Sequence, residues 1–407
     1  MRNITVGVIG LNHLGMVTSA CLLALGYTII AIDFDEQIVE KYNQDILFLN
    51  EPAVKDLFKS YRKRIKFSSS ESLEDCDYVW ITIDMPLDEI GLPDYEKFDE
   101  HIEKLVPMVP DNCKVIVSSQ VKLGTTEEIL GKFKKAGKNI KICYSPENLR
   151  LGKSVDLFLK PDRIVIGCEE SSRDEFLPLF ESISNRLVWM DVKEAELSKH
   201  AINSFLAICI SFINQLSGIC EDHQISCSKV TQALKTESRI GQNLPLQAGL
   251  PFAGGTLPRD LHYLNDLFGR ENLFEDVLFY NDRHRYWILK QTVAYFGTLQ
   301  ELIDKKILIV GLSYKEGIND SRFSEASRFI EELKHYTSNI TLYDDKFDQE
   351  SELGEYDCVA IFNKSDKISE YLKTLNKKTL ILDPNNLCRD VYPPELVFAK
   401  IGEPRGF

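Results

Sequence analysis

Apolar and polar positions along the chain alternate between two periods, and that alternation predicts most of the architecture. Residues 4–10 form an apolar run ending in Gly10, a helical pattern follows to about Leu25, and a second run, Thr28–Ile32, ends at Asp33. Short apolar runs then recur at Tyr78–Ile83, Lys114–Ser118, Ile140–Cys143 and Arg163–Gly167, with helical spacing at Tyr95–Leu105 and Thr125–Lys135 between them. Strands that alternate with helices predict a mostly parallel sheet covered on both faces. A similar series follows later: Lys306–Gly311, a helix near Ser324–His335, then Ile340–Tyr343, Cys358–Phe362 and Thr379–Leu382.

The two series are separated by Asp191–Glu221, where apolar residues at Leu197, Ala201, Phe205, Ile208, Phe212, Leu216 and Ile219 keep helical spacing. Ile202, Leu206, Ile210 and Ile213 widen the stripe until most of the helix surface is apolar. Asp191 with Glu194 three residues later is a capping-box start. So apolar a helix predicts cover from neighbouring domains, a second copy of the chain, or both. Charges at its ends and Ser204, Ser211 and Asn214 within it argue against a membrane span. Asn272–Phe296 reads as a further helical stretch. The fold class expected is α/β: two Rossmann-like doubly wound parallel-sheet domains joined by a long central helix, with boundaries at 1–190, 191–297 and 298–407.

Composition narrows the class. A chain of 407 residues predicts two or three domains, and 44% hydrophobic with 27% charged residues is the balance of a soluble protein. The net charge of −14 opposes broad attraction to nucleic acid or anionic membrane. No signal-peptide pattern opens the sequence, and ten scattered cysteines without a CxxC pair predict buried free thiols in a reducing cytoplasm and no metal site.

The first strand–turn–helix–strand unit carries chemistry. Gly10, Gly15 and Asp33, eighteen residues past Gly15, form a dinucleotide-binding arrangement. An acid at the end of the second strand accepts the ribose hydroxyls and repels a 2′-phosphate, so NAD is expected over NADP. The middle glycine of the fingerprint is Asn12, expected to tolerate left-handed backbone angles but to crowd the pyrophosphate.

Further polar stretches stand where folding alone does not ask for them. They are Ser119–Thr126, Tyr144–Arg150, the pair Lys199 and Asn203 one helical turn apart, Arg239-Ile240-Gly241, the loop Gly249–Asp260, and Tyr314-Lys315 with Asn319–Arg322. In this order, over nearly the whole length, the chain resembles the nucleotide-sugar dehydrogenases of the UDP-glucose/GDP-mannose 6-dehydrogenase kind. Ser145-Pro146-Glu147-Asn148-Leu149-Arg150 is similar to that family's Asn-Pro-Glu-Phe-Leu-Arg, and Pro161–Gly167 and the Lys199 helix match as well. The resemblance implies two-step oxidation of a sugar CH2OH with two NAD, through a cysteine-bound thiohemiacetal and thioester.

Carried over by position, Glu147 would be the acid/base group, Lys199 and Asn203 the oxyanion donors, and Asp260 a water activator. The implied cofactor set is Gly10, Asn12, His13, Leu14, Gly15, Asp33, Pro86, Gln120 and Arg322. Leu149, Arg150, Phe252, Gly255, Tyr314 and Lys315 would hold the substrate, a nucleotide sugar most simply linked to UDP. Arg239 would reach the substrate of the neighbouring subunit of a homodimer.

The departures cluster. The family's loop Phe-Gly-Gly-Ser-Cys-Phe-Pro-Lys-Asp is here Phe252-Ala253-Gly254-Gly255-Thr256-Leu257-Pro258-Arg259-Asp260, so Thr256 stands where the nucleophilic cysteine would. Gln120 replaces a threonine, Leu151 a glutamate and Arg259 a lysine. Three readings stay open: oxidation that stops after one hydride, four-electron oxidation through a free aldehyde hydrate, and a catalytically impaired relative that binds nucleotide sugar, cofactor or a partner enzyme.

Overall fold

The computed structural model describes residues 4–47, 49, 51–86, 93–147, 149–312, 324–344, 353–375, 378–388 and 396–406. The chain divides into two compact units, Met1–Ala201 and Ile202–Phe407.

The first unit is built on β1 (Thr5–Ile9), α1 (His13–Ala24), β2 (Thr28–Ile32), α2 (Glu36–Asn43), α3 (Val54–Ser60), β3 (Ile65–Ser68) and β4 (Tyr78–Ile81). It continues through α4 (Tyr95–Leu105), β5 (Lys114–Val117), α5 (Thr125–Lys135), β6 (Lys141–Tyr144), α6 (Ser154–Leu159), β7 (Ile164–Gly167), α7 (Arg173–Glu181) and β8 (Leu187–Met190). The sheet order is β3-β2-β1-β4-β5-β6-β7-β8. Pairing is parallel except between β6 and β7, which meet antiparallel at Tyr144 and Gly167. The order across its first six strands is that of a dinucleotide-binding sheet.

Alternation of side chains across the pleat divides the core. Val6, Val8, Tyr78 and Trp80 pack on one face with α1, α3, α6 and α7, whereas Ile9, Val79 and Ile81 pack on the other with α4 and α5. The sequence pattern passed over β3, β8 and β13 (Val397–Ala399). Each is only three or four residues long, and β8 and β13 have mostly half-buried side chains, too little pattern for periodicity to register.

Helix α8 (Val192–Asp222) has the expected extent, and the Asp191 N–H donates to Glu194 Oε2 at 2.9 Å, half of a capping box. By length and composition it could cross a membrane. Its Glu196 and Glu221, however, each accept hydrogen bonds from backbone N–H groups of other segments, an arrangement suited to a helix packed within protein.

The second unit continues with α9 (Cys227–Thr236), α10 (Thr256–Phe268), α11 (Leu273–His284) and α12 (Trp287–Phe296). The single helical stretch expected over Asn272–Phe296 is therefore two helices: Arg285 and Tyr286 separate them, and Tyr286 serves as the N-cap residue of α12. A second sheet follows from β9 (Ile307–Val310), α13 (Glu325–Leu333), β10 (Ile340–Tyr343), β11 (Cys358–Ile361), α14 (Asp366–Leu372), β12 (Leu380–Leu382) and β13. Its order is β10-β9-β11-β12-β13, parallel throughout.

Glu196 shows how firmly α8 is built into the first unit. Its carboxylate is fully buried and accepts from the N–H groups of Gly124, at 2.5 Å, and Thr126, at 2.8 Å, at the start of α5. Glu196→Ala leaves both donors without that acceptor, so urea denaturation should show a loss of about 3 kcal/mol. A loss below about 1 kcal/mol would mean that water replaces the carboxylate at no cost.

Candidate active site

The turn after β1 is shaped by two positions that only glycine fits. Gly10 has φ of +95°, and a side chain there would press on the backbone of Ile83 at 2.8 Å. A Cβ on Gly15 would lie 1.7 Å from the Gly10 carbonyl oxygen, so α1 could not approach the strand end. Asn12 corrects the sequence reading: it is the N-cap of α1 with φ −66° and ψ −164°, an extended conformation open to any residue. Left-handed tolerance is not what admits it.

Asp33 is held by the turn it serves. Its Oδ2 accepts from the Leu11 N–H at 2.7 Å and its Oδ1 from the Asp35 N–H at 3.0 Å. One bond on each oxygen leaves acceptor capacity for ribose hydroxyls. Gly10, Asn12, Asp33 and Pro86 line a cavity of about 760 Å³, a volume suited to a nucleotide moiety. Phe34 and His101 form one wall, their rings 5.6 Å apart and inclined by 30°. Burial, then the charge of Lys104, pushes the His101 pKa down. The sequence reading missed this wall, although Phe34 directly follows Asp33. His13 and Leu14 lie half-buried at the start of α1, and Gln120 is half-buried after β5. The residues present fit a dinucleotide.

Two further pairs bring together residues that the sequence singled out, one pair in each unit. In the first unit Lys199 Nζ donates to the Glu147 carbonyl oxygen at 2.6 Å. Burial pushes the Glu147 carboxyl up to about 7, against the pull of the Lys199 charge. The neighbouring His200 Nε2 donates to the Val121 carbonyl at 2.8 Å. Leu149 packs against the core and Arg150 is exposed.

In the second unit Asn203 Nδ2 donates to Asp260 Oδ2 at 2.5 Å, and Arg259 Nε stands 3.5 Å from the other oxygen of this fully buried carboxylate. Asp260 lies one turn along α10 from Thr256, which is exposed in the helix's first turn beside exposed Gly255. Among the described residues no carboxylate or imidazole is hydrogen-bonded to the Thr256 hydroxyl. The Phe252 ring is buried, and its backbone is clamped by Asn281, whose Oδ1 accepts from the N–H at 2.9 Å and whose Nδ2 donates to the carbonyl at 3.0 Å. Nothing in the sequence marks Asn281 for that task. Arg239 stands apart, exposed and 3.0 Å from Glu237. Tyr314, Lys315 and Arg322 lie outside the described residues.

All ten cysteines are free and buried. Among the described residues no group of three or more His, Cys, Asp or Glu could hold a metal ion.

A glycine turn after β1, an acid at the end of β2 and a cavity of nucleotide size beside them are the features of a dinucleotide-binding fold. Models of the UDP-glucose/GDP-mannose dehydrogenase family match three consecutive stretches: the NAD binding domain over 4–183, the central domain over 193–282 and the UDP binding domain over 308–390. The UDP-glucose 6-dehydrogenase of Rickettsia bellii is 30% identical over 350 residues, 83% of this chain and 80% of that protein. Two solved structures share the fold. The UDP-D-ManNAc dehydrogenase of Pyrococcus horikoshii aligns with a TM-score of 0.87 at 20% identity over 98% of this chain and 99% of that one. The UDP-glucose dehydrogenase of Pyrobaculum islandicum gives 0.85 at 23% over 96% and 97%. The chain belongs to the UDP-glucose/GDP-mannose dehydrogenase family; it is an NAD-dependent oxidoreductase acting on a CH–OH donor.

Glu147 provides a test by pH. Its folded pKa lies above the carboxylate value of the unfolded chain, so its stabilising contribution is full below about 4.5 and is lost as pH rises through about 7. Glu147→Gln should flatten the decline in stability over that window. Isotope-edited infrared spectra of the unaltered protein should show a carboxyl band that disappears near neutrality; its absence above pH 5 would remove the elevated pKa.

Proposed function

We propose that the protein oxidises an alcohol carbon of a nucleotide sugar, UDP-linked, and releases the carbonyl product or its hydrate instead of retaining it as a thioester. The match of residues 308–390 to a UDP binding domain supports the nucleotide. Thr256 carries the rest of the reading: it is exposed at the first turn of α10, without a base bonded to it, in a chain with no exposed thiol.

NAD, when bound, supplies a hydride acceptor, and Gly10, Asn12, Gly15, Asp33, Pro86 and the Phe34–His101 wall would hold its adenosine side. The chain's own residues handle charge and protons. Lys199 and Asn203 offer donors that favour an alkoxide over an alcohol, because fixed donors need no reorganisation as charge develops. Glu147, with a pKa of about 7, can take or return a proton at neutral pH.

Thr256 cannot supply the second stage. A thiol ionises near 8.5 and yields usable thiolate. A helix N-terminus contributes roughly 1 kcal/mol, which is less than one pKa unit and far short of ionising an alkyl hydroxyl. Turnover should therefore give one NADH per sugar, and hydroxylamine should trap the carbonyl product. Thr256→Cys should restore acyl-enzyme only in part, since Gln120, Leu151 and Arg259 remain. Two NADH per sugar with accumulated acyl-enzyme in the unaltered protein would overturn the proposal. No NADH from any of a panel of nucleotide sugars would favour an impaired, binding relative.

A homodimer completes the reading. Phe205, Phe212 and Ile219 follow one another at seven-residue spacing along α8 and are 53%, 52% and 56% exposed. Such a stripe is a surface for another helix, and a second copy presents its own. Sedimentation should give a dimer at micromolar concentration and a monomer after Phe212→Glu; a monomer in both cases would exclude this interface. Ten buried free thiols suit a reducing cytoplasm.

A further inference from the structure

Glu51 belongs to no motif, yet its carboxylate joins two stretches that do. The side chain is 1% exposed. Its Oε2 accepts from the Gly152 N–H at 2.9 Å and lies 3.1 Å from His13 Nε2, while Oε1 accepts from the Ser154 N–H at 2.9 Å. His13 is the first residue of α1. Gly152 and Ser154 close the segment that begins with Leu149 and Arg150, and the Ser154 hydroxyl donates to the Arg150 carbonyl at 2.9 Å.

The contacts fix a tautomer. An ionised carboxylate only accepts, so the hydrogen between His13 and Glu51 sits on Nε2. The Ser154 oxygen, 3.1 Å from the same nitrogen, can share it because its own hydrogen goes to Arg150. Burial opposes ionisation of Glu51, but the Gly152 and Ser154 N–H groups and His13 outweigh it and hold the carboxyl below its usual range. Holding the turn that leads into α6 would need only the two N–H bonds. The His13 contact adds something else, a link to the helix on whose N-terminus a dinucleotide's phosphates are expected.

We propose that Glu51 is a positioning residue that locks the segment from Arg150 to Ser154 onto the first turn of the cofactor helix, so that cofactor binding at α1 is felt in that segment. This rests on α1 as the cofactor helix and not on the fate of the sugar, so it stands or falls separately from the role given to Thr256.

Hydrogen exchange on the full chain, with and without NADH, tests the link. NADH should slow exchange severalfold in peptides covering 149–154 of the unaltered protein. In Glu51→Gln an amide NH2 meets backbone donors that the carboxylate satisfied. The NADH-dependent slowing should disappear there, and the NADH dissociation constant should rise about tenfold, the effect of losing one charge-assisted hydrogen bond. His13→Ala separates coupling from holding the turn: the amides of Gly152 and Ser154 should stay protected without NADH, but NADH should no longer add protection. If Glu51→Gln fails to fold, His13→Ala decides alone. NADH-dependent slowing that survives in His13→Ala, or that is absent from the unaltered protein, would overturn the proposal.

Discussion

The first unit's loops depend on the grip that the start of α8 takes on the sheet's edge. Glu196 accepts from Gly124 and Thr126, His200 donates to Val121, and Lys199 donates to Glu147. These contacts fall on two loops, the turn after β5 and the stretch after β6. Open α/β sheets bind ligands at the carboxyl ends of their strands, where loops must be held to a fraction of an ångström without a sheet's own hydrogen bonds. A rigid helix presenting side chains to those loops does that work. It also explains why Glu196 is buried: a carboxylate facing two N–H donors at the start of α5 has an attraction that offsets its desolvation.

This grip lay only partly within reach of the sequence. Lys199 and Asn203 attract notice because they stand four apart on a helix too apolar to need them. Glu196 and His200 look like the ordinary polar face of the same helix, and their partners are backbone atoms, which leave no mark in a side-chain pattern. The same holds for Glu51 and Asn281, whose bonds go chiefly to main-chain groups far along the chain. Phe34 could have been suspected beside Asp33, but its pairing with His101 joins residues that only the fold brings together.

The sheets were far more legible, for a physical reason. Strands buried on both faces, such as Tyr78–Ile81 and Ile307–Val310, are unbroken apolar runs, and helices covering them keep a 3.6-residue period. The half-buried edge strand Leu187–Met190 lacks that contrast. Local backbone geometry was harder still. Asn12 was expected to meet a left-handed demand, yet that demand falls on Gly10, two residues earlier, and Asn12 stands extended at the N-cap position of α1 without a side-chain capping bond.

The placement of polar groups in the second unit bears on why a change at Thr256 need not disturb its surroundings. Asn203 donates to the buried carboxylate of Asp260 and half-buried Arg259 stands 3.5 Å from its other oxygen, with Asp260 fully inside and Thr256 outside one turn earlier on α10. A buried carboxylate of this kind is costly to unpair, so substitutions of Asn203 or Asp260 act on the fold. Thr256 carries no such obligation. Exchanging a thiol for a hydroxyl at an exposed position of a helix's first turn leaves every buried contact in place. The side chain at Thr256 can therefore be varied without unpairing the buried carboxylate of Asp260.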